Sequence, residues 1–203
     1  MRKKSFNLSL VFLMFFVFSV LFAGKPIIDS DLTLKEAISG TQAPKDLREK
    51  LVLIDVQYYS TDGKLHQGQL VVHEDVKQDV LEIFEIIKEE RFPIKKAVPI
   101  VEYDWSDDAS MEDNNTSAFN YRYIAGTKRL SNHAFGKAVD INPEFNPVIY
   151  SDGRISPSGA EYDVEKEGTL TSDHPIVLAF KERGWRWGGD FESFKDYHHF
   201  DKQ

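Results

Sequence analysis

Hydrophobic and polar positions fall into distinct blocks along the 203 residues of this chain. Leu8 to Ala23 is almost wholly apolar and follows a positive head of Arg2, Lys3 and Lys4. Leu51 to Tyr59 (LVLIDVQYY) and Gly68 to His73 (GQLVVH) are rich in strand formers, and Ser60 to Gly63 supplies a turn between them. Two such runs joined through Asp62-Gly63 predict a β-hairpin. From Glu74 to Glu90, apolar side chains recur at Val76, Val80, Ile83, Phe84 and Ile87. That spacing is one face of a helix, and Pro93 ends the segment. Lys96 to Tyr103 predicts a further strand and Val139 to Ile141 a short one. Pro175 to Arg183 predicts a short helix, with Asp173 as its cap, Pro175 in its first turn and Gly184 as its stop.

The polar stretches divide the rest. Residues 25–50 mix Pro, Gly, Asp and Lys and read as a lead-in with one short helix. Residues 104–120, with Asp107, Asp108, Glu112 and Asp113, suit a surface loop. Residues 143–172 are rich in Pro, Gly, Ser and Asp and predict a long functional loop. The charged head and apolar run at the N-terminus have the form of a secretory signal, cut at Ala23 or Gly24 or kept as an anchor. The expected organisation is therefore a signal peptide at 1–24, a lead-in at 25–50 and a single domain at 51–203. Export to the periplasm, the cell wall or the exterior follows. No later run is long and apolar enough to span a membrane.

Composition narrows the chemistry. Hydrophobic residues make up 41% and aromatics 13%, enough for a folded core. The absence of cysteine excludes disulfides, thiolate zinc sites and a cysteine nucleophile. A net charge of −8 argues against nucleic-acid binding, which needs cationic patches to displace counterions. A monomer is expected.

The residues that carry chemistry lie late in the chain. One cluster is Ser131-Asn-His133-Ala-Phe-Gly136-Lys-Ala138-Val-Asp140. A second runs from Gly184-Trp-Arg-Trp187-Gly-Gly-Asp190 into Asp196-Tyr-His198-His199-Phe200-Asp201. Two imidazoles and a carboxylate suffice to hold a catalytic zinc ion that keeps one open position. His133 and Asp140 stand seven apart with Gly136 between them, so a loop and the next strand can each present one ligand. The third ligand comes from His198 or His199, folding back from the C-terminus. Neighbours on a strand face opposite ways, so one of the pair binds. Asp196, three residues before His199, is placed to act as a general base toward metal-activated water. His66, His73 and His174 read as structural or solvent-facing.

The string Ser-x-His-x-x-Gly-x-Ala-x-Asp, then Trp-Gly-Gly, then Asp-x-x-His-Phe resembles the signature of the VanY-type D-alanyl-D-alanine carboxypeptidases. Their relatives include D-Ala-D-Ala dipeptidases and L-alanyl-D-glutamate endopeptidases. The matching residues are Ser131, His133, Gly136, Ala138 and Asp140, then Trp187, Gly188 and Gly189, then Asp196, His199 and Phe200. Asn115 to Arg122 also resembles the approach segment of one subgroup, and the likeness spans about residues 50–203. The resemblance implies an α+β fold of the hedgehog/DD-peptidase type, a small, mostly antiparallel sheet with flanking helices. It implies one zinc ion (Zn2+) held by His133, Asp140 and His199, with Asp196 as general base. Arg122 is implied to polarise the scissile carbonyl, Ser131 to hydrogen-bond substrate or orient the site, Trp187 to wall the substrate pocket or the core, and His198 to lie outside the ligand set. The implied activity is hydrolysis of peptidoglycan stem peptides, as a D-alanyl-D-alanine carboxypeptidase or, second, as an L-alanyl-D-glutamate endopeptidase. A zinc-stabilised wall-binding module without turnover is the alternative of another class.

Overall fold

In the computed structural model of the protein, residues 25–203 are described. The expected export signal at 1–24 lies outside them. The described chain opens with β1 (Ile27–Ile28), α1 (Leu34–Ala37) and α2 (Lys45–Arg48). The predicted hairpin follows as β2 (Leu51–Tyr59) and β3 (Leu65–His73), antiparallel from Leu51↔His73 to Tyr59↔Leu65. Strand β1 pairs with β3 in parallel. Residues 25–50 are thus packed onto the domain: Ala37 and Ala43 meet Leu51, Val71 and Phe119 in a small apolar cluster of their own.

After a 3-10 turn at Glu74–Val76 comes α3 (Lys77–Glu89). Its predicted face, Val80, Ile83, Phe84 and Ile87, is buried in the main core. That core also takes Ile54, Val56, Leu70 and Val72 from the hairpin, and Val139, Ile141, Phe180 and Phe200 from later elements. Each such side chain contributes about 1.5–3 kcal/mol when fully buried, so the hairpin and α3 fix the strands that carry the site.

The expected strand at Lys96–Tyr103 is shorter than its composition suggested. Only β4 (Lys96–Ala97) forms, and Ile100–Tyr103 is a 3-10 turn. Pro99 explains the change, since it has no N–H for a ladder and caps the turn with φ −60°. The expected surface loop at 104–120 is structured. It contains α4 (Asp107–Glu112), capped by the Ser106 hydroxyl, and β5 (Asn115–Thr116). Asn114 through Asn120 are all buried.

The remaining elements are β6 (Ala138–Asp140), β7 (Val148–Ile149), β8 (Ile155–Ser156), α5 (Pro175–Glu182), β9 (Arg186–Trp187), β10 (Lys195–Asp196) and β11 (His199–Asp201). The architecture is α+β. Among the described residues, the expected single sheet is divided into four small ones. Two matter for the site. Strands β6-β11-β9 are wholly antiparallel, with His199 opposite Asp140, and β10-β7-β8 holds Asp196 beside them. Helix α5 begins at Pro175 as predicted and ends one residue early, but its cap is His174 rather than Asp173. Among the described residues no helix is long and apolar enough to cross a membrane.

Candidate metal centre

His133 sits in a 3-10 turn at Asn132–Phe135 whose cap is Ser131: the Ser131 hydroxyl accepts the His133 N–H at 3.3 Å. Gly136 ends that turn in the left-handed region at φ 66°, and a Cβ there would lie 2.7 Å from the His73 nitrogen. No side chain fits, which explains the glycine between the first two candidate ligands. The chain then enters β6 and delivers Asp140, while β11 brings His199 alongside in register.

The three side chains converge. His133 Nε2 lies 3.2 Å from His199 Nδ1 and 3.1 Å from Asp140 Oδ2. His199 Nδ1 lies 2.9 Å from Asp140 Oδ1. A tetrahedral ion with donors at about 2.0–2.1 Å needs them about 3.3 Å apart, so a shift of a few tenths of an ångström admits one. The outer nitrogens are also committed. His133 Nδ1 donates to the Ala118 carbonyl at 2.5 Å, so Nε2 faces the cluster and offers its lone pair there when the ring is neutral. His199 Nε2 faces Asp201 Oδ2 at 3.4 Å. Such outer partners fix the tautomers of metal-binding histidines. The donor set therefore fits zinc chemistry.

The electrostatics agree. Burial alone would raise the Asp140 pKa, but the charges of His133 and His198 and hydrogen bonds from His133 and His199 hold it well below the usual carboxylate range. Burial would lower His199; hydrogen bonds to Asp140 and Asp201 outweigh it and push the imidazole up to about 10. A divalent cation here displaces a proton.

These residues line a cavity of about 450 Å³ together with Ser131, Asp196 and Arg122. Arg122 is held by Asp107, with Nη2 2.9 Å from Oδ2, and its buried Nε–H has no partner. Gly188 makes room for Asp196: a Cβ on Gly188 would sit 2.3 Å from the Asp196 carbonyl oxygen and 2.8 Å from its Cβ. Residues 125–202 match the family model described as D-alanyl-D-alanine carboxypeptidase. The match holds the three candidate ligands and Asp196, and it is the peptidase family that the motifs resemble. It covers less of the chain than that resemblance did, and Arg122 lies just before it. No solved structure matches the chain.

Not every expected residue lies on the cavity. Trp187, expected in the wall of the substrate pocket or in the core, is in the core at 3% exposure, with Nε1 donating to the Tyr197 carbonyl. It stacks near Phe200 and is absent from the cavity wall. His198 does lie outside the triad and is buried. His66 and His73 are structural: His66 pairs with Asp29 at 2.9 Å, and His73 accepts the Asp75 N–H at 3.1 Å. Sequence reasoning passed over Asp201, which takes two hydrogen bonds from Arg186 (2.8 and 2.7 Å) and one from Asn132 (2.7 Å) behind His199. The signal was available, since residues two apart on a strand share a face.

Proposed function

We propose that the protein is an exported zinc peptidase that cuts peptide bonds in peptidoglycan stem peptides, acting first as a D-alanyl-D-alanine carboxypeptidase. The observation that carries this reading is that Asp196 and Arg122 line one cavity with the ligand triad. A purely structural ion needs neither. Export rests on the positive head and apolar run of residues 1–24.

His133, Asp140 and His199 would hold the ion, which when bound supplies a Lewis acid and an acidified water. Asp196 accepts a proton from the attacking water as the new C–O bond forms at the scissile carbonyl. Arg122 stands beside the oxygen that gains negative charge, where a fixed cation is most useful. Asp196 then gives its proton to the departing nitrogen as the C–N bond breaks, leaving an acid and a free amine. Ser131 caps the His133 turn and lines the cavity.

The test is mass spectrometry of purified stem peptides treated with zinc-loaded protein, chelated protein and Asp196→Asn. Release of alanine by the loaded protein alone is expected. Cleavage between L-alanine and D-glutamate instead would move the assignment to the endopeptidase class. Full zinc occupancy with no product would replace the enzyme by a binding module.

A further inference from the structure

We propose that His198 is a positioning residue that aims the Asp196 carboxylate at the cavity. This rests on the reading of Asp196 as general base. His198 is 3% exposed and sits in the wall behind that carboxylate. Its ring nitrogens have two different partners. Nδ1 lies 2.7 Å from the Asn146 carbonyl, an oxygen that only accepts, so Nδ1 carries the hydrogen. Nε2 lies 3.0 Å from Asp196 Oδ1, a contact that pairs the two groups when the ring carries its second hydrogen there. That oxygen is buried and has no hydrogen-bond partner among the described residues, and His198 Nε2 is the charge-pairing atom beside it. The Asp196 side chain keeps 16% exposure and lines the cavity, which leaves Oδ2 as its available oxygen.

The other end of the ring is tied to a rigid point. Asn146 is fully buried. Its Nδ2 donates to the carbonyls of Ile141, Asn142 and Gly168, and its Oδ1 accepts the Leu170 N–H at 2.6 Å. The His198 carbonyl in turn accepts the Ile141 N–H at 3.0 Å, one residue beyond Asp140. The carboxylate is therefore referenced, through one imidazole, to the backbone that presents a candidate ligand. Such referencing matters because a misplacement of about 1 Å at a reacting group costs about 100-fold in rate. The adjacent histidines divide the work: His199 turns to Asp140 and His133, His198 to the base.

A core-filling role and a positioning role predict different rescues. In His198→Gln the side-chain amide reaches the place of Nε2 and can donate to Asp196. In His198→Asn it reaches only the place of Nδ1 and can serve only Asn146. Purified full-length wild type, His198→Gln, His198→Asn and His198→Ala are compared for zinc content, kcat and KM on stem peptides. The Ala and Asn variants should lose about 10–100-fold in kcat, the size of an outer-shell loss, with zinc content kept and KM within about threefold on the same grounds. His198→Gln should recover most of it. Crystal structures of the four metal-free proteins add a readout independent of turnover: Asp196 should keep its orientation in wild type and Gln and swing away in Ala and Asn. Equal kcat for Asn and Gln, wild-type kcat in Ala, or an unmoved Asp196 in Ala overturns the proposal. Wild type that binds zinc but makes no product sinks the reading of the base instead, and the four structures still decide whether residue 198 orients the carboxylate.

Discussion

Arg122 holds an unmet donor on the cavity. One nitrogen is bonded to Asp107, and the buried Nε–H has no partner. An unmet buried donor costs about 1–3 kcal/mol. An oxygen that becomes negative in the cavity would satisfy it at the moment of reaction. Arg122→Ala should therefore lower kcat about 10²–10³-fold, the size seen when one oxyanion donor is removed. Zinc content should stay unchanged, because no ligand touches the guanidinium. Arg122→Lys should recover only part, since a single ammonium cannot keep Asp107 and also point a donor at substrate. Steady-state kinetics with metal analysis decides it, and a loss of activity that follows loss of zinc would refute the assignment. At this scale the sequence was most informative about ligands, because imidazole and carboxylate are scarce and chemically distinctive. It was least informative about supports such as Asn146, whose amide is ordinary until four backbone partners surround it.

Among the elements, α5 has a cap that titrates. The His174 ring accepts the Ile176 N–H at Nδ1, 3.2 Å away, and packs edge-on to Phe92. Burial lowers its pKa below the ordinary imidazole value of 6.5, against the pull of Glu90 and Asp173. The folded state therefore binds this proton less readily than the unfolded chain. The contribution is present above pH 6.5 and is lost as pH falls from there through the folded value. Protonation also removes the acceptor that makes the cap. In metal-free protein, the stability of wild type should fall relative to His174→Asn as pH drops from about 7 to 5, by up to about 1 kcal/mol, the usual worth of a cap. Denaturant titration at each pH measures the difference, and parallel curves for the two proteins would exclude the mechanism. Asp173 looked like the cap because its residue type is the common one, whereas a neutral imidazole nitrogen accepts just as well once buried. The same limit applied at 104–120. The hairpin and α3 announced themselves by apolar period, but α4 and β5 are built from polar residues whose burial depends on pairing. Asn115, for example, bonds both backbone groups of Val98 and the Ser110 hydroxyl.

Across the whole molecule, the site lies at one end of a chain of supports that starts with the lead-in. Strand β1 is only two residues long, so no periodicity could reveal it, yet it covers an edge of β3. Asp29, just after it, accepts the hydroxyl of fully buried Tyr58 at 2.5 Å and meets His66 at 2.9 Å. Ser30 and the Leu32 N–H both donate to Gln69, itself 4% exposed. Removing residues 25–32 would leave the Tyr58 hydroxyl hydrogen and the Gln69 carbonyl oxygen without their partners, although Tyr58 would still accept the Ala97 N–H, at about 1–3 kcal/mol for each buried group left unmet. None of the ligands, nor Asp196 or Arg122, touches this segment. A chain starting at Thr33 should therefore have a lower urea midpoint than one starting at Lys25, while zinc content and kcat below the transition stay the same. The two effects separate because the hairpin core, not β1, holds β6 and β11 in place. A truncated chain that kept its urea midpoint would mean that β1 is an ornament on the hairpin. One that lost zinc while still folded would mean that the support runs from the N-terminal strand to the metal centre after all.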